Sequence, residues 1–104
     1  MRVRFTESAA RNFDQSVEYL RTEAPTVVGD FAVSVAKAIF ELLDHPYSAQ
    51  ETTHPGVRRK YIRRFRHSIF YTVDQPADEL VILHIHHAAR QWPWLGENNS
   101  QTDG

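Results

Sequence analysis

The segment Arg58-Arg59-Lys60-Tyr61-Ile62-Arg63-Arg64-Phe65-Arg66 concentrates cationic chemistry, with six bases among nine residues and no acid. Guanidinium groups match carboxylates and phosphates. An extended backbone sends Arg59 and Arg63 to one side and Arg58, Lys60, Arg64 and Arg66 to the other. Three roles are open. The segment can be a solvated edge strand whose charge discourages sheet-to-sheet pairing. It can grip the phosphates of DNA or RNA. It can dock an acidic protein segment. Two bases suffice to guard an edge, and six without a compensating acid repel one another, so the pattern points to a working surface. A second group is His84, His86 and His87. His84 and His86 share a face at strand spacing; His87 points the other way. Two imidazoles can contribute to a metal site, but no cysteine accompanies them and a third ligand would have to come from elsewhere. Hydrogen-bonded sheet histidines are the simpler reading, and neither a metal nor a cofactor is expected. His87, near Arg90, has the chemistry to move protons near neutral pH. The third group is Arg90-Gln91-Trp92-Pro93-Trp94-Leu95. Its tryptophans can stack on bases or anchor a partner, or fold back to complete a small core.

Other chemistries drop out. There is no phosphate loop and no Glu-paired histidine repeat of the metalloprotease type. Asp78-Glu79 sits in a turn and reads as solvated charge. No spacing suggests a serine triad. The absence of cysteine excludes disulfides, thiolate zinc sites and iron–sulfur clusters, and it suits a reducing compartment. Met1–Thr6 alternates and then turns polar, unlike a signal peptide. The longest nearly apolar stretch, Leu80–Ile85, is far shorter than the ~20 residues of a membrane span. A soluble, cytoplasmic protein without membrane contact is expected.

At 104 residues, 41% apolar and 24% charged, the chain has the composition of one globular domain. Its net charge of -1 conceals an uneven distribution. The stretches 7–51 and 74–104 are acidic, whereas 52–73 holds six bases and no acid. Local charge of that kind steers partners.

These groups need elements to hold them. Residues 1–6 alternate as a strand, with Val3 and Phe5 on one face. Thr6 or Ser8 can cap a helix over about 7–23, with Glu7 at its positive end, and Pro25 stops it. Thr26 can cap a second helix over about 27–44, whose apolar stripe includes Val28, Phe31, Val35, Ile39 and Leu42; Asp44-His45-Pro46 ends it. A link this short makes a helical hairpin. Residues 45–56 read as loop. Three extended runs follow at 57–64, 68–73 and 80–87, with turns near 65–67 and 74–79. Short links make both strand pairs antiparallel, and the apolar run 80–85 suits a central strand. The expected architecture is α+β, in the order β-α-α-β-β-β, with the hairpin packed on a small, mainly antiparallel sheet. Residues 1–95 form the domain, and 96–104 read as a frayed tail.

Taken together, Arg64-Phe65-Arg66-His67-Ser68-Ile69-Phe70-Tyr71-Thr72-Val73, then Glu79–His87, then Ala88-Ala89-Arg90 resemble the RelE/ParE toxin superfamily of type II toxin–antitoxin systems. The strand pattern Arg-Phe-x-x-Ser-Ile-x-Tyr-x-Val, followed by a strand ending His-x-x-Arg, is similar to its plasmid-stabilisation branch. Phe5-Thr6-Glu7-Ser8-Ala9, Tyr19-Leu20 and Pro55-Gly56-Val57-Arg58 agree with it, so the likeness covers about residues 3–95. The resemblance implies a growth-inhibiting toxin neutralised by a cognate antitoxin in a hetero-oligomer. Two branches differ in target. The RelE-like branch cuts mRNA on the ribosome; the ParE-like branch poisons DNA gyrase. Where the nucleases place a key arginine on the middle strand this chain has Ser68, and where they use a lysine on the preceding strand it has Tyr61. Arg90 matches their C-terminal arginine but also belongs to the broader His-x-x-Arg pattern. The tail departs from the family's Arg-x-Pro-x-x-Trp. The ParE-like branch is therefore expected, with DNA gyrase as target and no catalytic residue assigned. Its partner-binding candidates are Arg58, Arg59, Lys60, Tyr61, Arg63, Arg64, Arg66, Arg90, Trp92 and Trp94. The alternatives are an endoribonuclease using Arg59, Arg63, Arg66, His87 and Arg90, with the ribosome and mRNA as partners, or an inactive relative that only binds antitoxin.

Overall fold

The alternating and helical stripes become β1 (Arg2–Phe5), α1 (Glu7–Glu23), a 3-10 turn (Pro25–Val27), α2 (Val28–Asp44), β2 (Gln50–Glu51), β3 (Arg58–Ile62), β4 (His67–Asp74) and β5 (Glu79–His87). This is a computed structural model, and it describes residues 1–88. Arg90, Trp92, Trp94 and the stretch 96–104 lie outside the described residues.

The five strands form one sheet in the order β1-β5-β4-β3-β2. β2–β3, β3–β4 and β4–β5 pair antiparallel, while β1 pairs parallel with β5. The apolar run of β5 thus lies between two neighbours, as its two-sided hydrophobicity requires. Both helices pack on one face of the sheet. Phe31, Val35, Ala38, Ile39 and Leu42 of α2 and Ala9 of α1 meet Ile62, Ile69, Tyr71, Leu80, Ile82 and Ile85 in the main core. Strand alternation leaves Val57, Phe70 and Leu83 in a separate cluster on the opposite, far face.

Thr6 caps α1 as expected. Its Oγ1 accepts from the Ala9 N–H at 3.1 Å and donates to the Leu83 carbonyl at 2.9 Å, which pins the helix start to β5. Two local expectations change. Thr26 caps nothing: it sits inside the 3-10 turn that Pro25 opens, and α2 starts at Val28 without a side-chain cap. The 45–56 loop contains β2, whose two residues pair with Arg58 and Arg59. A register shift at Phe70/Tyr71 lets β4 and β5 stay paired along their length. Arg66 and Asp78 take positive φ (53° and 56°) where the two hairpins turn.

Candidate functional site

β3 carries the basic block, and the core decides which cations turn inward. Ile62 is buried beneath the hairpin, so the residues sharing its parity face the helices. Lys60 Nζ pairs with Glu41 of α2 at 3.1 Å. Arg64 pairs with Asp30, near the start of α2, at 3.0 Å and lies over the Phe65 ring. Arg58 donates through Nη1 to the carbonyls of Ala49 (2.7 Å) and Tyr47 (3.2 Å), and its guanidinium lies 5.2 Å from the Tyr47 ring centre. These three bases hold α2 and the 45–51 loop onto the sheet. The Arg64–Asp30 pair stays at the surface, with both side chains more than half exposed.

Arg59 and Tyr61 occupy the far face. Arg59 Nε donates to Ser68 Oγ at 2.8 Å, and its guanidinium stands 5.3 Å from the Tyr61 ring centre. Tyr61 is 42% exposed. Ser68 is its cross-strand partner, so the two residues that mark the departure from the nuclease pattern are direct neighbours. His86 pairs with Ser68 and His84 with Phe70. The two imidazoles stack at 5.3 Å, and burial lowers the His84 pKa from its usual 6.5, favouring the neutral ring. Arg63 and Arg66 are exposed in the β3–β4 turn. Arg64 is exposed in the same turn while paired with Asp30, and Arg59 is half-buried on the far face.

His87 faces the hairpin, as its parity predicts, and its ring meets His67 edge-on at 5.2 Å. Among the alternative nuclease residues, Arg59 is thus on one face, His87 on the other, and Arg63 and Arg66 in the turn; Arg90 lies outside the described residues. The described members do not converge on one point. No group of three or more metal-ligating side chains occurs among the described residues.

Sequence reasoning missed His67 and Ser16. Ser16 Oγ is 3.0 Å from His67 Nε2, and His67 Nδ1 is 2.7 Å from the Phe65 carbonyl. The carbonyl can only accept, so Nδ1 carries the hydrogen and Nε2 accepts from the serine. A serine, an imidazole and an orienting acceptor resemble a nucleophile–base pair. Both side chains are almost fully buried, at 6% and 5% exposure, and the Phe31 ring lies 4.9 Å from the imidazole. Substrate cannot reach them, so the pair joins α1 to β4. The signal was available: His67, Ile69 and Tyr71 share a face at strand spacing. Tyr71 joins the same face to the loop by donating to the Pro46 carbonyl at 2.7 Å. Burial raises its pKa, against the opposing effects of the Ala49 backbone and Arg58.

Beside α2, Val3, Phe5, Phe13, Ala36, Ile39 and Phe40 line an apolar groove of about 340 Å³. No described helix is long and apolar enough to cross a membrane.

The fold and its sequence both have relatives. A chain from the chromosomal ParDE system of P. aeruginosa superposes with a TM-score of 0.70 at 20% identity, over 84% of this chain and 95% of that one. The isolated E. coli RelE toxin gives 0.60 at 17% identity, over 98% and 94%. A chain of the RelBE2 toxin–antitoxin complex from Mycobacterium tuberculosis gives 0.56 at 24% identity, over 83% and 95%. Likeness at these identities establishes the fold. A search of curated proteins finds no match. Residues 3–92 match the family model described as the ParE toxin of the type II toxin–antitoxin system, parDE, and the chain belongs to that family.

Proposed function

We propose that this chain arrests growth by inhibiting DNA gyrase and that a cognate antitoxin relieves the arrest. The antitoxin partner follows from the family and from its neighbours, which include toxin–antitoxin complexes. The observation that carries the choice of target is the Tyr61–Ser68 pair. A nuclease of this superfamily needs cations at these positions, to stabilise the charge that develops on phosphorus. Here the pair supplies a phenol and a hydroxyl, and three of the nearby bases are engaged with α2 and the 45–51 loop. What remains suits protein recognition: an arginine over a tyrosine, with two more arginines at the adjacent turn.

The antitoxin reading has a physical basis of its own. Arg59, Arg63 and Arg66 attract an acidic segment, and the groove beside α2 offers apolar contact area. Association should therefore be fast and should slow as salt is added. The test of target is direct. Purified toxin should block gyrase supercoiling or trap cleaved DNA, and added antitoxin should reverse the effect, while translated message stays intact. Unimpaired supercoiling together with cleaved message would select the endoribonuclease instead.

A further inference from the structure

We propose that the β3–β4 turn is a two-point grip for the phosphate backbone of duplex DNA, with Arg63 and Arg66 each taking one phosphate. The basic run divides by what each side chain meets. Arg58, Lys60 and Arg64 are held by carbonyls or carboxylates, and Arg59 by Ser68. Arg63 and Arg66 are exposed, and among the described residues neither side chain is tied by a hydrogen bond or an ion pair. The turn that carries them is nevertheless fixed at each step. The Arg66 N–H donates to the Arg63 carbonyl at 3.2 Å, and the Arg66 carbonyl accepts from the Ala88 N–H at 2.6 Å. The Phe65 carbonyl lies 2.7 Å from His67 Nδ1, and the Phe65 ring stands edge-on to Phe31 at 5.4 Å. A turn closed in this way brings the Cα atoms of Arg63 and Arg66 within about 7 Å, so their side chains start from one rigid base. Arg66 also holds φ at 53°, in the left-handed region where glycine or asparagine is the easier residue. An arginine there strains the backbone and makes no polar contact inside the described fold in return. Strain kept under those terms points to a use outside the fold.

Phosphate is the chemistry that fits the turn. Protein hot spots combine a cation with an apolar anchor. The Arg59–Tyr61 pair supplies that combination on the sheet. The turn does not: its one apolar residue, Phe65, packs on Phe31 and lies under the Arg64 guanidinium, 5.0 Å from the ring centre. What the turn shows to the outside is charge alone. That suits a nucleic-acid backbone, whose charges repeat and whose contacts carry no sequence information. Guanidinium groups meet phosphate oxygens through paired hydrogen bonds. The choice of DNA over RNA rests on the gyrase reading, since that target acts on DNA; the grip itself does not. The net charge of -1 gives the whole chain no long-range pull toward a polyanion. Binding outside the gyrase complex is therefore weak, short-ranged and concentrated in these two residues. An acidic antitoxin segment that reaches the turn would compete with DNA for it.

The test uses the full-length chain and a short fluorescent DNA duplex, with no gyrase present, followed by anisotropy as salt is raised from a low level. The logarithm of the binding constant should fall against the logarithm of salt with a slope of about -1.8, or about -0.9 for each phosphate held. Arg63→Gln and Arg66→Gln should each halve that slope, and the double variant should lose binding. Arg11→Gln, at an exposed position on α1, should leave the slope unchanged. Arg66→Gly removes the guanidinium and relaxes the backbone, so duplex binding should drop as in Arg66→Gln while the urea midpoint holds or rises. A parent chain that does not bind the duplex at low salt would overturn the proposal, as would a double variant that keeps the parent's slope. Tighter binding of a single-stranded RNA of equal length would overturn it in favour of message. A double variant that loses binding to a polyglutamate peptide but keeps the duplex would assign the turn to an acidic protein instead. Because the assay contains no gyrase, its failure leaves the gyrase reading standing, and that reading fails separately, by unimpaired supercoiling.

Discussion

The hairpin face and the far face of the sheet draw on the same strand, β3, and use its bases differently. On the hairpin side, Arg58 and Lys60, with Arg64 of the following turn, each meet a carbonyl or carboxylate supplied by α2 or the 45–51 loop. On the far face, Arg59 is aligned by Ser68 and lies over an exposed tyrosine. One run of like charge is thus divided: Arg58, Lys60 and Arg64 tie α2 and the 45–51 loop to the sheet, while Arg59 is held on the far face by Ser68. The lesson is that within β3 the parity of the nearest core residue, here Ile62, decides which face a base serves, whereas sequence charge density alone does not.

The sharpest way to separate the two faces is to weaken the first. Phe31 is fully buried against Phe13, Phe65 and His67. Phe31→Ala should cost about 4 kcal/mol in urea unfolding, a large share of the stability of a domain this size. Arg58→Ala removes a charged donor from two carbonyls and should cost about 2 kcal/mol; a cost near zero would mean that the 45–51 loop is held by Tyr71 instead. Ser16→Ala leaves His67 Nε2 without its donor in a buried site and should cost ~1–2 kcal/mol. Lys60→Ala breaks a pair whose members are both partly exposed, so the loss should stay under about 1 kcal/mol and shrink further in salt.

The smallest effect concerns the far face. Burial lowers the His84 pKa in the folded protein below its ordinary 6.5. On acidification the unfolded chain takes up this proton first, so stability falls as the pH drops from about 6.5 toward the folded value, and it is fully present above that window. His84→Gln should flatten that part of the stability profile. An unchanged profile would place the acid sensitivity elsewhere.

Much of this organisation was legible in the sequence. The 3.6-residue stripes and Pro25 and Pro46 located both helices, Thr6 marked the first cap, and two-sided hydrophobicity placed β5 in the sheet interior. What escaped did so for identifiable reasons. β2 is two residues long and has no periodicity to detect. The parallel β1–β5 pairing joins residues almost eighty positions apart, and no local signal encodes it. Thr26 has a good capping side chain, but the proline before it favours a 3-10 turn. The division of the basic block was readable in part: alternation set Arg58 and Lys60 against Arg59, but Arg63, Arg64 and Arg66 lie in the turn beyond β3, where strand parity does not hold. His67 was passed over because its hydroxyl partner comes from a helix fifty-one residues away.

The division of β3 is tested most directly by measuring gyrase supercoiling with two folded double variants, Arg59→Ala with Tyr61→Ala and Lys60→Ala with Arg64→Ala, each matched to the parent protein by folded concentration. Inhibition should be lost in the first pair and kept in the second. Loss confined to the second pair, or equal loss in both, would contradict the account.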